Sequence, residues 1–161
     1  MTTEVLDGHL FGPDQPCFGC GPSHPIGMHL AFERDGDDVV SRMTPGPNYQ
    51  GAPGMMHGGL LATFADEVAA WAIIAGAGKF GFTVSFEAKY RRAVRIGVPI
   101  EGRGRLTSAV RRVTDVAVEI TQEGELAFTG AFRFAILDRA AAERLMGGPI
   151  PDAWQRFTRV S

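Results

Sequence analysis

The chain has 161 residues, 45% of them hydrophobic and 21% charged, which suits one domain that buries its own core without metals or disulfides. Its net charge of -2 offers no basic surface and argues against nucleic acid as a main partner. The longest nearly apolar run, residues 58–78, is interrupted by Thr63, Asp66 and Glu67, and the polar start "MTTEVLDGHL" does not read as a signal peptide, so a soluble, cytoplasmic protein with no membrane partner is expected.

Residues 1–25 read as an irregular arm, rich in glycine and proline. Within it Cys17 and Cys20 form C-x-x-C, with His24 and His29 close behind. The intervals to the histidines are compressed for a zinc finger and no helix flanks the pair, so a zinc role is left to metal analysis. The surrounding Gly and Pro argue against a redox pair at a helix start. Small buried thiols in a structured loop are the simplest reading, and no metal or cofactor is expected. Residues 26–34 and 38–43 are expected as strands joined by a turn at "DG". The segment "TPGPNYQGAPGMM" then denies both helix geometry and ladder hydrogen bonds, so it is a loop that delivers the chain to His57.

From residue 58 to 75 apolar side chains occupy nearly the whole helical wheel, the pattern of a buried helix. Residues 82–90 alternate, with Phe82, Val84, Phe86, Ala88 and Tyr90 on one face and Thr83, Ser85, Glu87 and Lys89 on the other. Further strands are expected at residues 98–110, 111–122 and 126–137, with a hairpin turn at "EGEL". Asp138 caps a short helix, "RAAAERLM", which Gly147 closes. Consecutive strands with short connections form an antiparallel sheet, and a helix apolar all round needs that sheet to wrap it. The fold class is therefore α+β.

The chemistry concentrates where the loop becomes helix. His57, Gly58 and Gly59 stand at a helix start, where backbone N–H groups lack carbonyl partners and the positive end of the helix dipole lies, so an oxyanion hole is one reading and a flexible capped N-terminus the other. Asp66 and Glu67 lie inside the apolar helix, where a carboxylate must be paired, protonated or open to a wet site. A structural salt bridge would explain one, and a general base or nucleophile would explain it better. Asp66 follows His57 by nine positions, roughly 13 Å along the axis and about half a turn around it. If the two serve one site, the carboxylate must come from another subunit, which implies a homodimer with two identical sites. Adjacent helix positions diverge by about 100°, which favours Asp66 for chemistry and Glu67 as a supporting or interface group.

The stretch "GAPGMMHGGLLATFADEVAAWA", followed by "FTVSFEAKYRRAV" and "IEGRGRL", resembles the PaaI-like branch of the hotdog-fold acyl-CoA thioesterases, across residues 17–137. The entry "CFGCGPSHPIGMHL" is similar to one found in part of that family. The resemblance implies an antiparallel sheet wrapped around a central helix, with the hotdog domain at residues 26–137 between the arm and a C-terminal helix and tail at 138–161. It implies hydrolysis of an acyl-CoA substrate by a homodimer or a dimer of dimers. Carried over by position, Asp66 matches the carboxylate that activates water or attacks the thioester, Gly58 the backbone N–H that polarises the carbonyl, and His57 the residue ordering that turn. Thr83 falls where the family often has a hydroxyl that assists the water. Gln50 stands beside Gly51, the position where relatives often carry Asn or Gln. Gly59 and Glu67 border the same region, and Arg91 and Arg92 are candidates for holding the CoA phosphates. The proline usual after the last strand motif is Ala93 here. Two other readings stay open: a hydratase or dehydratase on the same fold, in which His57 acts as acid or base, and a non-catalytic acyl-CoA-binding module. Trp71, Phe80, Phe82 and Met55 are candidate pocket walls or core.

Overall fold

The computed structural model describes residues 5–160. Its strands are β1 (Val5–Asp7), β2 (Ala31–Asp35), β3 (Asp38–Met43), β4 (Gly81–Tyr90), β5 (Ile100–Val110), β6 (Val113–Gln122) and β7 (Glu125–Ile136). Its helices are α1 (Gly58–Ala77), α2 (Arg139–Met146) and α3 (Asp152–Gln155). The strands form one seven-stranded antiparallel sheet in the order β1-β2-β3-β5-β6-β7-β4. Because β4 directly follows α1 in sequence yet pairs with β7, the chain returns from the helix to the far edge of the sheet.

Helix α1 begins at the N-cap His57 and stops at Gly78, which takes the left-handed conformation (φ 65°) and donates its N–H to the Ile74 carbonyl. Its length and apolarity would suit a membrane span, but Phe64, Ala65, Val68, Ala69, Trp71 and Ile73 are all fully or almost fully buried in the core. The sheet reaches the helix closely because β5 presents glycine there. A Cβ on Gly102 would fall 2.8 Å from the Phe64 ring, so any larger residue would push helix and sheet apart.

The opposite face of that same strand carries charge. Arg103 bonds Asp35 (2.8 Å) and Asp38 (3.0 Å), and Arg105 also donates to Asp38. Burial pushes the Asp38 carboxyl up, and the bonds from Arg105 and Arg103 outweigh it, holding the group below the usual carboxylate range. A depressed value stabilises the fold above the unfolded pKa and loses that contribution as pH falls through the folded one. Asp38→Asn is accordingly expected to cost about 1 kcal/mol at neutral pH, since both guanidinium groups are partly exposed. Chemical denaturation of the two proteins should show the difference shrinking as pH falls below about 4.

Most elements stand where the sequence implies, and the differences have physical causes. The expected strand over residues 26–34 begins only at Ala31. Before it, Met28 and Leu30 donate their N–H groups to the Phe18 and Gly19 carbonyls, and His29 takes a positive φ of 50°, so this segment is tied to the cysteine loop instead of the sheet. The arm is not wholly irregular: β1 pairs with β2 and a single 3-10 turn covers Gly8–Phe11, while residues 1–4 lie outside the described residues. The C-terminal tail also carries structure. Trp154 of α3 donates its indole N–H to the Phe11 carbonyl (2.9 Å), and Phe11 packs against Trp71, Trp154 and Phe157.

Candidate active site

The loop before α1 arrives in a defined shape. Gln50 spends both ends of its amide inside that loop, accepting from Gly54 N–H (2.7 Å) and donating to the Pro47 carbonyl (3.0 Å). The His57 N–H bonds the Tyr49 carbonyl, and His57 Nδ1 accepts the Gly59 N–H (2.9 Å). The imidazole proton therefore sits on Nε2. Leu60 and Leu61 both donate to the His57 carbonyl, which leaves Gly58 as the first-turn amide without a partner among the described residues. Tyr90, at the end of β4, donates its hydroxyl to the Gly58 carbonyl (2.7 Å) and so pins the helix start to the edge strand.

Two turns further on, the polar stripe of α1 divides. Thr63 bonds back to the Gly59 carbonyl (3.0 Å) within its own helix. Asp66 Oδ1 accepts the Thr83 hydroxyl from β4 at 2.6 Å. Burial raises the Asp66 carboxyl above its ordinary value, and the Thr83 bond opposes that rise without cancelling it. Glu67 turns to the N-terminal segment, where the Cys17 thiol and Glu67 Oε1 lie 3.3 Å apart. Burial pushes the Glu67 carboxyl up to about 8, with Cys17 adding to the effect. Glu67 Oε2 is buried and has no hydrogen-bond partner among the described residues.

Asp66 and Glu67 diverge as helix geometry requires, yet both open onto one cleft of about 320 Å³. Trp71, Phe80, Phe82 and Trp154 give it apolar walls, and Thr83, Cys17 and Cys20 complete its polar end. Phe82 and Thr83 both line it, and just beyond them the pairing of β4 with β7 slips between Thr83 and Ser85, which breaks the strict alternation expected there and puts Thr83 on the sheet face of Phe86, Ala88 and Tyr90. Trp71, Phe80 and Phe82 thus border the cleft, whereas Met55 lies on the loop before His57. Arg92 is paired with Glu125 (2.7 Å), and Arg91 borders a separate shallow groove with Lys89 and Glu119. Sequence reasoning missed the approach of the cysteine loop to Glu67. Its one local sign is Gly19, where a Cβ would fall 2.2 Å from the Glu67 carboxyl carbon.

Within one chain, then, Asp66 and Thr83 meet, His57 and Gly58 meet, and the two pairs stand at different heights of α1. The family model described as the thioesterase superfamily matches residues 53–129, the segment that carries all four residues. The match, 77 of 161 residues, is a likeness to that superfamily over just under half of the chain. The chain is 43% identical over 96 residues to the acyl-coenzyme A thioesterase THEM5 of Mus musculus, an alignment that covers 59% of the chain and 36% of the mouse protein. The chain thus spans about a third of the length of that curated relative. Among solved structures, a thioesterase superfamily protein superposes with a TM-score of 0.69 at 25% identity, covering 81% of this chain and 69% of the other. A hypothetical thioesterase protein from Streptococcus pneumoniae TIGR4, solved with coenzyme A, superposes with a TM-score of 0.58 at 23% identity, covering 63% and 82%. The antiparallel sheet with one long packed helix is the hotdog fold of this superfamily.

Proposed function

We propose that the chain is an acyl-CoA thioesterase whose active sites form between two copies. The observation that carries the reading is Asp66: a carboxylate on a buried helix, bonded to Thr83, at the mouth of an apolar cleft. Thr83 occupies Oδ1 and leaves Oδ2 to hold a water. The thioester carbonyl accepts the Gly58 N–H of the other copy, where the helix dipole favours the negative charge that develops on oxygen. Asp66 takes a proton from the water as its oxygen attacks the carbonyl carbon. The tetrahedral intermediate collapses by breaking the C–S bond, and the proton passes from Asp66 to the departing CoA sulfur. The products are a carboxylic acid and free CoA, with Asp66 restored. The match to a curated acyl-CoA thioesterase and a fold neighbour solved with coenzyme A support CoA as the carrier. The aromatic walls of the cleft suit an apolar acyl group.

The edge strand supports the pairing. Among the described residues β4 has one neighbour, β7, so its outer backbone groups are open to a further strand, and Val84, Phe86 and Tyr90 are at least half exposed beside it. Two β4 strands paired antiparallel about a two-fold axis at Glu87 would, with Val84 as the extra residue of the slip, set Thr83 of one copy opposite Tyr90 of the other. Thr83 marks the Asp66 end of the helix and Tyr90 the Gly58 end, so that pairing closes two identical sites. A cytoplasmic location fits the two free thiols at the cleft.

The experiment is hydrolysis of short, long and aromatic acyl-CoAs by the purified chain, with release of free CoA thiol as the readout. No hydrolysis of any of them overturns the assignment. His57→Ala separates this reading from a hydratase, in which the imidazole must move protons. Here it serves as a helix cap, so hydrolysis is expected to fall by less than about tenfold, in line with roughly 1 kcal/mol for a lost cap.

A further inference from the structure

We propose that Cys17, Cys20 and Glu67 form a zinc site that ties the N-terminal segment to helix α1 at the edge of the cleft. The two sulfur atoms and a Glu67 carboxylate oxygen all lie within 4.8 Å of one another. Ideal tetrahedral zinc sets two thiolate sulfurs about 3.8 Å apart, and a sulfur and a carboxylate oxygen about 3.6 Å apart. Cys17 Sγ and Glu67 Oε1 already stand at 3.3 Å, so small side-chain adjustments complete the geometry.

The surroundings are built for such a group. Glu67 Oε2 is buried without a hydrogen-bond partner among the described residues, an arrangement that is costly unless something else satisfies the oxygen. The loop holds its shape through Gly21 N–H bonding the Cys17 carbonyl (2.8 Å). Gln15, itself 7% exposed, accepts the Cys17 N–H (2.9 Å) and directs its amide N–H at Cys20 Sγ (3.5 Å), the kind of outer support that orients metal ligands. Two sulfurs and one carboxylate suit zinc and not the hard, oxygen-seeking magnesium or calcium. Three protein ligands leave a fourth position for a further group, and all three line the cleft that Asp66 also lines. The spacing to His24 and His29, which weakens a zinc reading of the sequence, does not bear on this site. His29 bonds the His24 carbonyl, and His24 packs on Phe18.

The test uses the full chain, purified in reductant without a histidine tag, and titrated with zinc against a chromophoric chelator. About one zinc per chain is expected, with both thiols protected from a thiol reagent; these are the chain's two cysteines, so the thiol count is unambiguous. Cobalt in place of zinc should give tetrahedral visible bands and a thiolate charge-transfer band. Glu67→Gln keeps shape and should weaken zinc at least tenfold, Gln15→Ala by about 10–100-fold, and His24→Ala with His29→Ala not at all. The proposal fails if the reduced wild type takes up no zinc, or if Glu67→Gln binds it as the wild type does. It fails equally if the histidine pair proves to be required. Because the wild-type titration needs no variant, misfolding of Cys17→Ser or Cys20→Ser does not protect the proposal.

Discussion

Asp66→Asn is expected to lower acyl-CoA hydrolysis by about 10²–10⁴-fold, the usual contribution of a positioned general base. The substitution keeps the side chain's size and an oxygen for the Thr83 hydroxyl, so the wall of the cleft is retained and only the basic group is lost. Stability should hold or rise. Asp66 sits where burial disfavours its charged form, and asparagine carries no charge to bury. A thermal melt beside the rate measurement therefore separates loss of chemistry from loss of fold. A rate within about threefold of wild type would remove Asp66 from the mechanism. A low rate with a collapsed melt would make it a structural residue. Thr83→Val should give a smaller loss, because it removes the hydroxyl that fixes the carboxylate and leaves the base itself in place.

How much of this was legible in the sequence follows from the range of each interaction. The helix at residues 58–77 announces itself because its apolar residues repeat around a single element, and its cap and stop, His57 and Gly78, are local too. The turns at Gly36 and Gly124 are likewise local, since each needs a positive φ that glycine supplies. The divergence of Asp66 and Glu67 could be argued from the helical angle alone. What Glu67 meets could not, for Cys17 lies 50 residues away and nothing in its own pattern points to the helix. The same holds for the bond from Trp154 to Phe11, which spans 143 residues. β1 has three residues, too few to show any period, and exists because β2 offers it an edge. The slip in β4 was hidden for another reason. Alternation is a rule for an unbroken ladder, and one extra residue at Val84 puts Thr83 on the same sheet face as Phe86 instead of the opposite one.

A dimer built from one Asp66→Asn chain and one Gly58→Pro chain is expected to recover about half the wild-type rate, although each variant alone is nearly inactive. Proline is the informative replacement at Gly58. It deletes the N–H while suiting the first position of a helix, and His57 before it already has the extended geometry (φ −59°, ψ 130°) that a following proline demands. Loss of one such donor costs about 10²–10³ in rate, so the homodimer of this variant serves as a low background. If Gly58 of one chain works with Asp66 of the other, the mixed dimer holds one site with both substitutions and one with neither. If both groups act within a single chain, each of its sites carries one substitution and no activity returns. Co-expression of the two chains with different affinity tags, and purification through both, isolates the mixed dimer for assay. A rate no higher than the two parents would break the link between the sites and the pairing of β4 edges. A rate near one half would tie catalysis to the assembly, because Gly58 and Asp66, about 12 Å apart along one rigid helix, have no route to a shared substrate within their own chain.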